Sequence, residues 1–424
     1  MSARPGMTTP SAMNTFVREI GGWAASQMEA CTRCGLCADA CHFYQAIGNR
    51  EYAPVWKLEI LRRAYEQRFT AAGKFRLALG LQKAITDEDL RRWSVIVYEA
   101  CTLCNKCAMV CPMGIQLGPL IHNVRTGMAA AGVVPEDLVA ATRKQRDIGS
   151  PLGVTDAAWR ERLDWIAEEW EVEIPVDKAG AETLAVFTSI ELMKFPDNVA
   201  AIAAILNKGG VDWTVSSRGR EVVNFGFFEA DEDLTKLFLS RVFDAAVALG
   251  AKRIMISECG HAYDAFRWTA ANIMKVPPGV EVTHIIRVMY DLWKSGRIKL
   301  RRGAYDDTPL TFHDSCKIQR RGGHIKEPRE LLKHLAPTSF REMDPCREQA
   351  LCCGGGGGVI SIQEADPLRF AVFEMKLDQM KKNGAQSVCM VCSNCRLQFV
   401  DGVAHFKSDV KVRGLSEMVA KALE

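Results

Sequence analysis

Cys101-Thr102-Leu103-Cys104-Asn105-Lys106-Cys107-Ala108-Met109-Val110-Cys111-Pro112 decides the fold of the amino-terminal part of this chain. Two residues separate each of the first three cysteines, and three separate the third from the fourth. That spacing lets a tight loop present three thiolates to three irons of one [4Fe–4S] cube. The same spacing occurs earlier, at Cys31, Cys34, Cys37 and Cys41. The fourth cysteine of each run starts a helix leading away from its own loop, so it is assigned to the other cube. One set is then Cys31, Cys34, Cys37 and Cys111, and the other is Cys101, Cys104, Cys107 and Cys41. Zinc is the competing metal, but it takes four ligands in two pairs and seldom uses a doubled run of this form. The first run ends in Cys41-His42 rather than Cys-Pro; the proline shapes the exit turn and is not a ligand.

The whole chain has 424 residues, 16 of them cysteine, with 54 basic and 51 acidic residues giving a net charge of +3. That balance, with no basic tract interleaved with aromatics, argues against nucleic acid as a partner. A secreted disulfide scaffold would be short and would carry an export signal. Here Met1 to Pro10 has neither an apolar run nor a twin arginine, and the expectation is a reducing, cytoplasmic setting. Apolar stretches such as Val199 to Leu206 fall short of a bilayer span, so any membrane association is expected to be peripheral, through a partner.

Five segments are expected: a tail over 1–25, a helical domain with two [4Fe–4S] clusters over 26–146, a connector over 147–182, and two α/β repeats over 183–305 and 306–424. The tail runs into an amphipathic helix over Phe16 to Met28. The 59 residues between the cysteine runs (42–100) read as helical, over Val55 to Gln67 and Asp87 to Tyr98, with Asp87 as N-cap. The connector holds a helix with Trp159, Trp165 and Trp170, readable as a docking surface or as ordinary packing. From about 183, short β-rich runs alternate with helices, which predicts βα units and mostly parallel sheets. The overall class is α+β, multidomain. Val186 to Ser189 and Thr311 to Cys316 open two halves that read as an internal repeat.

In the second half stand Cys316, Cys352-Cys353-Gly354, Cys389 and Cys392, with 35 residues in each long interval. This pattern resembles the cysteine-rich CCG domain of heterodisulfide reductases and their relatives. The resemblance implies a non-cubane [4Fe–4S] cluster held by Cys316, Cys352, Cys353, Cys389 and Cys392. The glycine run Gly354 to Gly358 is expected to bring backbone N–H groups toward the cluster's sulfides. No Lys-Ser/Thr follows it, so it does not read as a phosphate loop. His313 and His261 are candidate proton donors, each also readable as a satisfied structural residue. Cys259, Cys346 and Cys395 are left without a role.

Two ferredoxin-type motifs followed by CCG repeats resemble the D subunit of heterodisulfide reductase, and also the K subunit of the sulfite-reductase-linked membrane complex. The resemblance covers roughly residues 25–424. It implies an oxidoreductase subunit that relays electrons through two cubane clusters to or from a non-cubane cluster, where a disulfide is cleaved or formed. The substrate would be a thiol, a disulfide or a sulfur carrier on a protein. Partners would be a flavoprotein or a quinone-reactive membrane subunit, since the chain has no dinucleotide fingerprint. The first repeat keeps only Cys259, which speaks against a second non-cubane cluster. The alternative is a non-catalytic electron-transfer subunit of a flavin-dependent glycolate, lactate or glycerol-3-phosphate dehydrogenase.

Overall fold

Alternation of short apolar runs with helices builds two four-stranded sheets. A computed structural model describes residues 9–424; residues 1–8 of the expected tail lie outside them. The first sheet contains β1 (Thr183–Val186), β2 (Trp213–Thr214), β3 (Arg253–Ile256) and β4 (Glu281–His284), in the order β2-β1-β3-β4. The second contains β5 (Leu310–Phe312), β6 (Phe340–Arg341), β7 (Ser387–Met390) and β8 (Lys411–Gly414), in the order β6-β5-β7-β8. Every pairing is parallel. The two orders are the same, as duplicated halves require. The central strands β1 and β7 are buried along their whole length, as strands covered by helices on both faces must be. The sheets belong to one unit, formed by residues 141–226, 232–353 and 376–424. The connector joins this unit as well. Its helix Asp156–Glu169 is capped by Thr155 Oγ1, which accepts from the Ala158 amide at 3.2 Å, and it buries Trp159, Leu163 and Ile166.

The other unit takes residues up to 140 together with 227–231 and 354–375. It is helical. The helix expected over Phe16 to Met28 is two helices, Thr9–Glu19 and Gly22–Ala30, because Gly21 adopts an extended conformation between them. Phe16 is fully buried at Gly127, where a Cβ would fall 1.9 Å from its ring. The N-cap of Asp87–Ser94 is Thr86 and not Asp87. Thr86 Oγ1 accepts from the Asp89 amide at 3.2 Å while Asp89 Oδ2 accepts from the Thr86 amide at 3.0 Å, a reciprocal pair. The remote segments are tied in by Arg125, which is wholly buried. Its guanidinium donates to the carbonyls of Val97, Cys101, Phe228 and Gly357 at 2.7–3.3 Å. The glycine run belongs to this unit, which begins again at Gly354 directly after Cys353. Gly357 has φ +64° and lies so close to the Thr102 backbone that a Cβ would meet it at 2.7 Å. Gly357 therefore serves close packing on the second cysteine loop. Among the described residues no helix is long and apolar enough to cross a membrane.

Candidate iron–sulfur centres

Each ferredoxin-type run winds its loop in the same way. Arg33 and Gly35 in the first loop, and Leu103 and Asn105 in the second, have φ of 54–87°. They stand two and four residues after the first cysteine of their runs. Left-handed residues at alternate positions fold successive amides inward, the geometry of an anion-binding nest. Non-glycine residues hold such angles only where the surroundings impose them. Cys31, Cys34, Cys37 and Cys111 line one cavity with Met28, Leu58 and Ile115.

Cys41, Cys101, Cys104 and Cys107 gather around a different feature, the ammonium of Lys57. This side chain is 1% exposed, and its Nζ lies 3.6 Å from Cys41 Sγ and 2.5 Å from the Ala100 carbonyl. Burial alone would lower its pKa, but the surrounding thiolates of Cys41, Cys101, Cys107 and Cys104 outweigh burial and hold it above the usual lysine value. Burial and the neighbouring thiolates of Cys104, Cys101 and Cys41 drive the Cys107 thiol far up. Soft thiolates that repel one another at this range suit a cationic iron–sulfur core, which relieves the repulsion.

In the sheet unit, the second repeat assembles a third group. His313, Cys353 and Cys395 are buried with their ligand atoms within 4.8 Å of one another. Hydrogen bonds from Cys352, Cys395 and His313 pull the Cys353 thiol far below its ordinary value. Both His313 ring nitrogens lack an oxygen or nitrogen partner, and burial lowers the ring's pKa. Cys392 is the N-cap of helix Ser393–His405, and its sulfur accepts from Cys395 and from the Gly260 amide, which lowers its pKa. Lys376, 1% exposed, stands by the same thiols, with burial bringing it down to about 8. Cys316 opens the segment Cys316–Arg321, just beyond β5, and is half-buried.

Two expected residues sit elsewhere. Cys389 lies within β7 and shares a face with Ser387, following the period-two pleat. Its thiol is buried among Glu258, Arg396, Arg413 and Glu417, while Ser387 Oγ accepts from Arg413 Nε at 2.8 Å. The sulfur that joins the group is Cys395, one helical turn after Cys392. The missed signal is that Cys392-Ser393-Asn394-Cys395 straddles a helix start, whereas Cys389 ends a β-rich run. His261 Nε2 lies 3.2 Å from the Asn224 carbonyl and is not in the His313 group. Cys346 stands by Glu342, Arg329 and Asp314.

The first repeat is filled differently. Cys259 caps helix Gly260–Asp264 as Cys392 caps its counterpart, and burial together with the nearby Cys392 raises its thiol far above normal. Around it stand oxygens in place of sulfurs. Glu191 accepts from the Thr188 and Glu258 amides, Ser257 Oγ and Asn198 Nδ2 at 2.6–3.0 Å. Glu221 accepts from the amides of Ser189, Val222 and Val223 at 2.9–3.0 Å and from Ser189 Oγ. These buried carboxylates, held by amides and hydroxyls, stand around Cys259 where a second set of thiolates would have to converge.

Burial of Glu221 raises its pKa to about 7 from 4.5. The folded state therefore holds a proton that the unfolded state has released between about pH 4.5 and 7, so stability falls as pH rises through that window. Urea unfolding should show a midpoint declining from pH 5 to 8, and Glu221→Gln should flatten the decline. A midpoint rising over that range would contradict this.

Comparison with known proteins finds two domains along the chain. Residues 27–115 match the 4Fe-4S dicluster domain, and residues 310–400 match the cysteine-rich CCG domain. The chain is 26% identical to the Hdr-like menaquinol oxidoreductase iron-sulfur subunit 2 of Archaeoglobus fulgidus, over 93% of this chain and 80% of the relative. It is 26% identical to the D subunit of the dihydromethanophenazine:CoB–CoM heterodisulfide reductase of Methanosarcina barkeri, over 94% of both. It is 24% identical to the EtfAB:quinone oxidoreductase of Syntrophomonas wolfei, over 96% of this chain and 60% of the relative. The chain thus carries a 4Fe-4S dicluster domain followed by a cysteine-rich CCG domain, and along nearly its whole length it is similar to heterodisulfide reductase and Hdr-like iron–sulfur polypeptides.

Proposed function

We propose that this chain is the iron–sulfur subunit of a multi-subunit redox complex in which a disulfide is cleaved or formed at its carboxyl-terminal cysteine group. Cys31, Cys34, Cys37 and Cys111 would hold one cubane cluster, and Cys101, Cys104, Cys107 and Cys41 the other. Cys316, Cys352, Cys353, Cys392 and Cys395 would hold the non-cubane cluster, with Cys395 in place of Cys389. The observation that carries the reading is the buried convergence of Cys353, Cys392 and Cys395 with His313. Clusters bound at these sites would supply single electrons, two in succession for one sulfur–sulfur bond. Cleaving that bond consumes two electrons and two protons and gives two thiols. His313 would hold one of those protons beside Cys353, in a pocket whose burial lowers the ring's pKa. Lys376 adds an ammonium beside the same thiols, which favours a thiolate leaving group. The Glu191 and Glu221 network supports a single such site per chain. The electron partner would be a flavoprotein or a quinone-reactive membrane subunit, in keeping with the names of the relatives.

A relay with no substrate of its own is the second reading, favoured by the thiol-poor first repeat. Electron paramagnetic resonance of the oxidised, cluster-loaded protein separates the two. Adding an alkyl thiol should generate a new paramagnetic signal, and His313→Ala should alter its pH dependence. A spectrum unmoved by thiol would favour the relay.

A further inference from the structure

Between the two cysteine loops, residues 67–84 carry an apolar tip that neither the clusters nor the helical core uses. Phe69, Phe75, Leu79 and Leu81 are 49%, 64%, 57% and 72% exposed within 13 residues. Single exposed apolar residues are ordinary, but four large ones on one short segment call for an occupant. Their exposure is built into the local structure. Thr70 Oγ1 accepts from the Gly73 amide at 2.9 Å and donates to the Glu66 carbonyl at 3.0 Å, reversing the chain between helices Glu59–Phe69 and Ala71–Ala78. Gly73 permits that reversal, because a Cβ there would fall 2.1 Å from the Glu66 carbonyl oxygen. The far end is pinned by Gln67 Nε2 and Arg63 Nη2, both donating to the Lys83 carbonyl at 2.9 and 3.2 Å. The apolar side chains thus stand on a braced hairpin.

Charge identifies the occupant. Residues 67–84 include Arg68, Lys74, Arg76 and Lys83 and no acidic residue; all four cations are exposed, and Arg76 pairs with Glu66 at 3.0 Å. Lysine is depleted from protein–protein interfaces, whereas aromatic and leucine side chains flanked by lysine and arginine are the composition of segments lying in a bilayer interface. The helix has eight residues, far too few to cross a bilayer and enough to insert its apolar side to headgroup depth. We infer that the hairpin over residues 67–84 is a direct docking element for an anionic lipid surface, with Phe75, Leu79 and Leu81 entering the interface and Lys74 and Lys83 meeting lipid phosphates. This contact is independent of the disulfide chemistry and of any membrane subunit.

The test is flotation of the anaerobically purified full-length holoprotein with two vesicle populations. One is phosphatidylcholine alone, and the other replaces about three-tenths of it with phosphatidylglycerol. The protein should float with the anionic vesicles and be released by high salt. Lys74→Gln with Lys83→Gln should weaken binding about tenfold or more, given roughly fivefold per basic residue at such a surface. Phe75→Ser with Leu81→Ser should abolish it, with iron content and visible spectrum unchanged in both variants. Failure of the wild-type protein to float, or equal binding by the variants, would overturn the inference. So would variants that lose a protein partner while the wild type ignores lipid, since the hairpin would then be a protein interface.

Discussion

Cys395→Ser is expected to yield a protein with about eight irons per chain in place of about twelve, while Cys389→Ser keeps the full complement. The two residues stand six apart, and the spacing of the CCG pattern alone nominates Cys389. Cys395 lies within 4.8 Å of His313 and Cys353, and its thiol donates to Cys353 and Cys392. Its removal takes a thiolate from the centre of a buried group whose remaining members are held by helix N-caps and a loop. Cys389 sits in β7, paired through its backbone with β5 and β8, and its sulfur faces carboxylates and guanidinium groups. Serine there costs only local packing in a strand, on the order of 1 kcal/mol. Iron and acid-labile sulfide analysis of the two variants checks the contrast. Equal iron in both, or loss only in Cys389→Ser, would refute the reassignment.

Lys57→Met should lower the midpoint potential of the cluster near Cys41 by on the order of 100 mV, leaving the other cubane unchanged. One positive charge several ångströms from the cluster is worth roughly 3 kcal/mol at an effective dielectric constant of about 20, and about 1.4 kcal/mol corresponds to 59 mV for one electron. The sign follows from charge. Reduction adds a negative charge, the ammonium stabilises it, and removing the ammonium makes reduction harder. Lys57 is suited to this role because it is buried and its Nζ is directed at Cys41 Sγ and the Ala100 carbonyl. Lys57→Arg should preserve most of the potential, which separates charge from packing. Potentiometric titration followed by electron paramagnetic resonance resolves the two cubanes. An unshifted potential in the methionine variant would contradict the electrostatic role.

The parallel sheets and their duplication were legible in the sequence because β-rich runs such as Arg253 to Ser257 alternate with long helical stretches. The strand β8 was not, since Lys411-Val412-Arg413-Gly414 lies at a sheet edge, is partly exposed and lacks an apolar run. The cysteine runs were legible as motifs because their spacing is short-range information. Which sulfur of Cys389, Cys392 and Cys395 reaches the group was not, because it depends on where β7 ends and the next helix starts. A shift of that boundary by a residue or two changes every side-chain direction. Lys57 was invisible for a different reason. It lies in an ordinary helical stretch, and only the tertiary fold brings it against Cys41, 16 residues away, and near Cys101, Cys104 and Cys107. Arg125 and the glycine run were likewise joined only by folding, through the Gly357 carbonyl.

A third iron–sulfur cluster, bound by the carboxyl-terminal cysteines and able to engage sulfur, underlies the proposed chemistry. Its presence is decided by iron and acid-labile sulfide analysis of wild-type holoprotein purified without oxygen. About twelve irons and about twelve sulfides per chain are expected; about eight of each, enough only for the two cubanes, would contradict the third cluster.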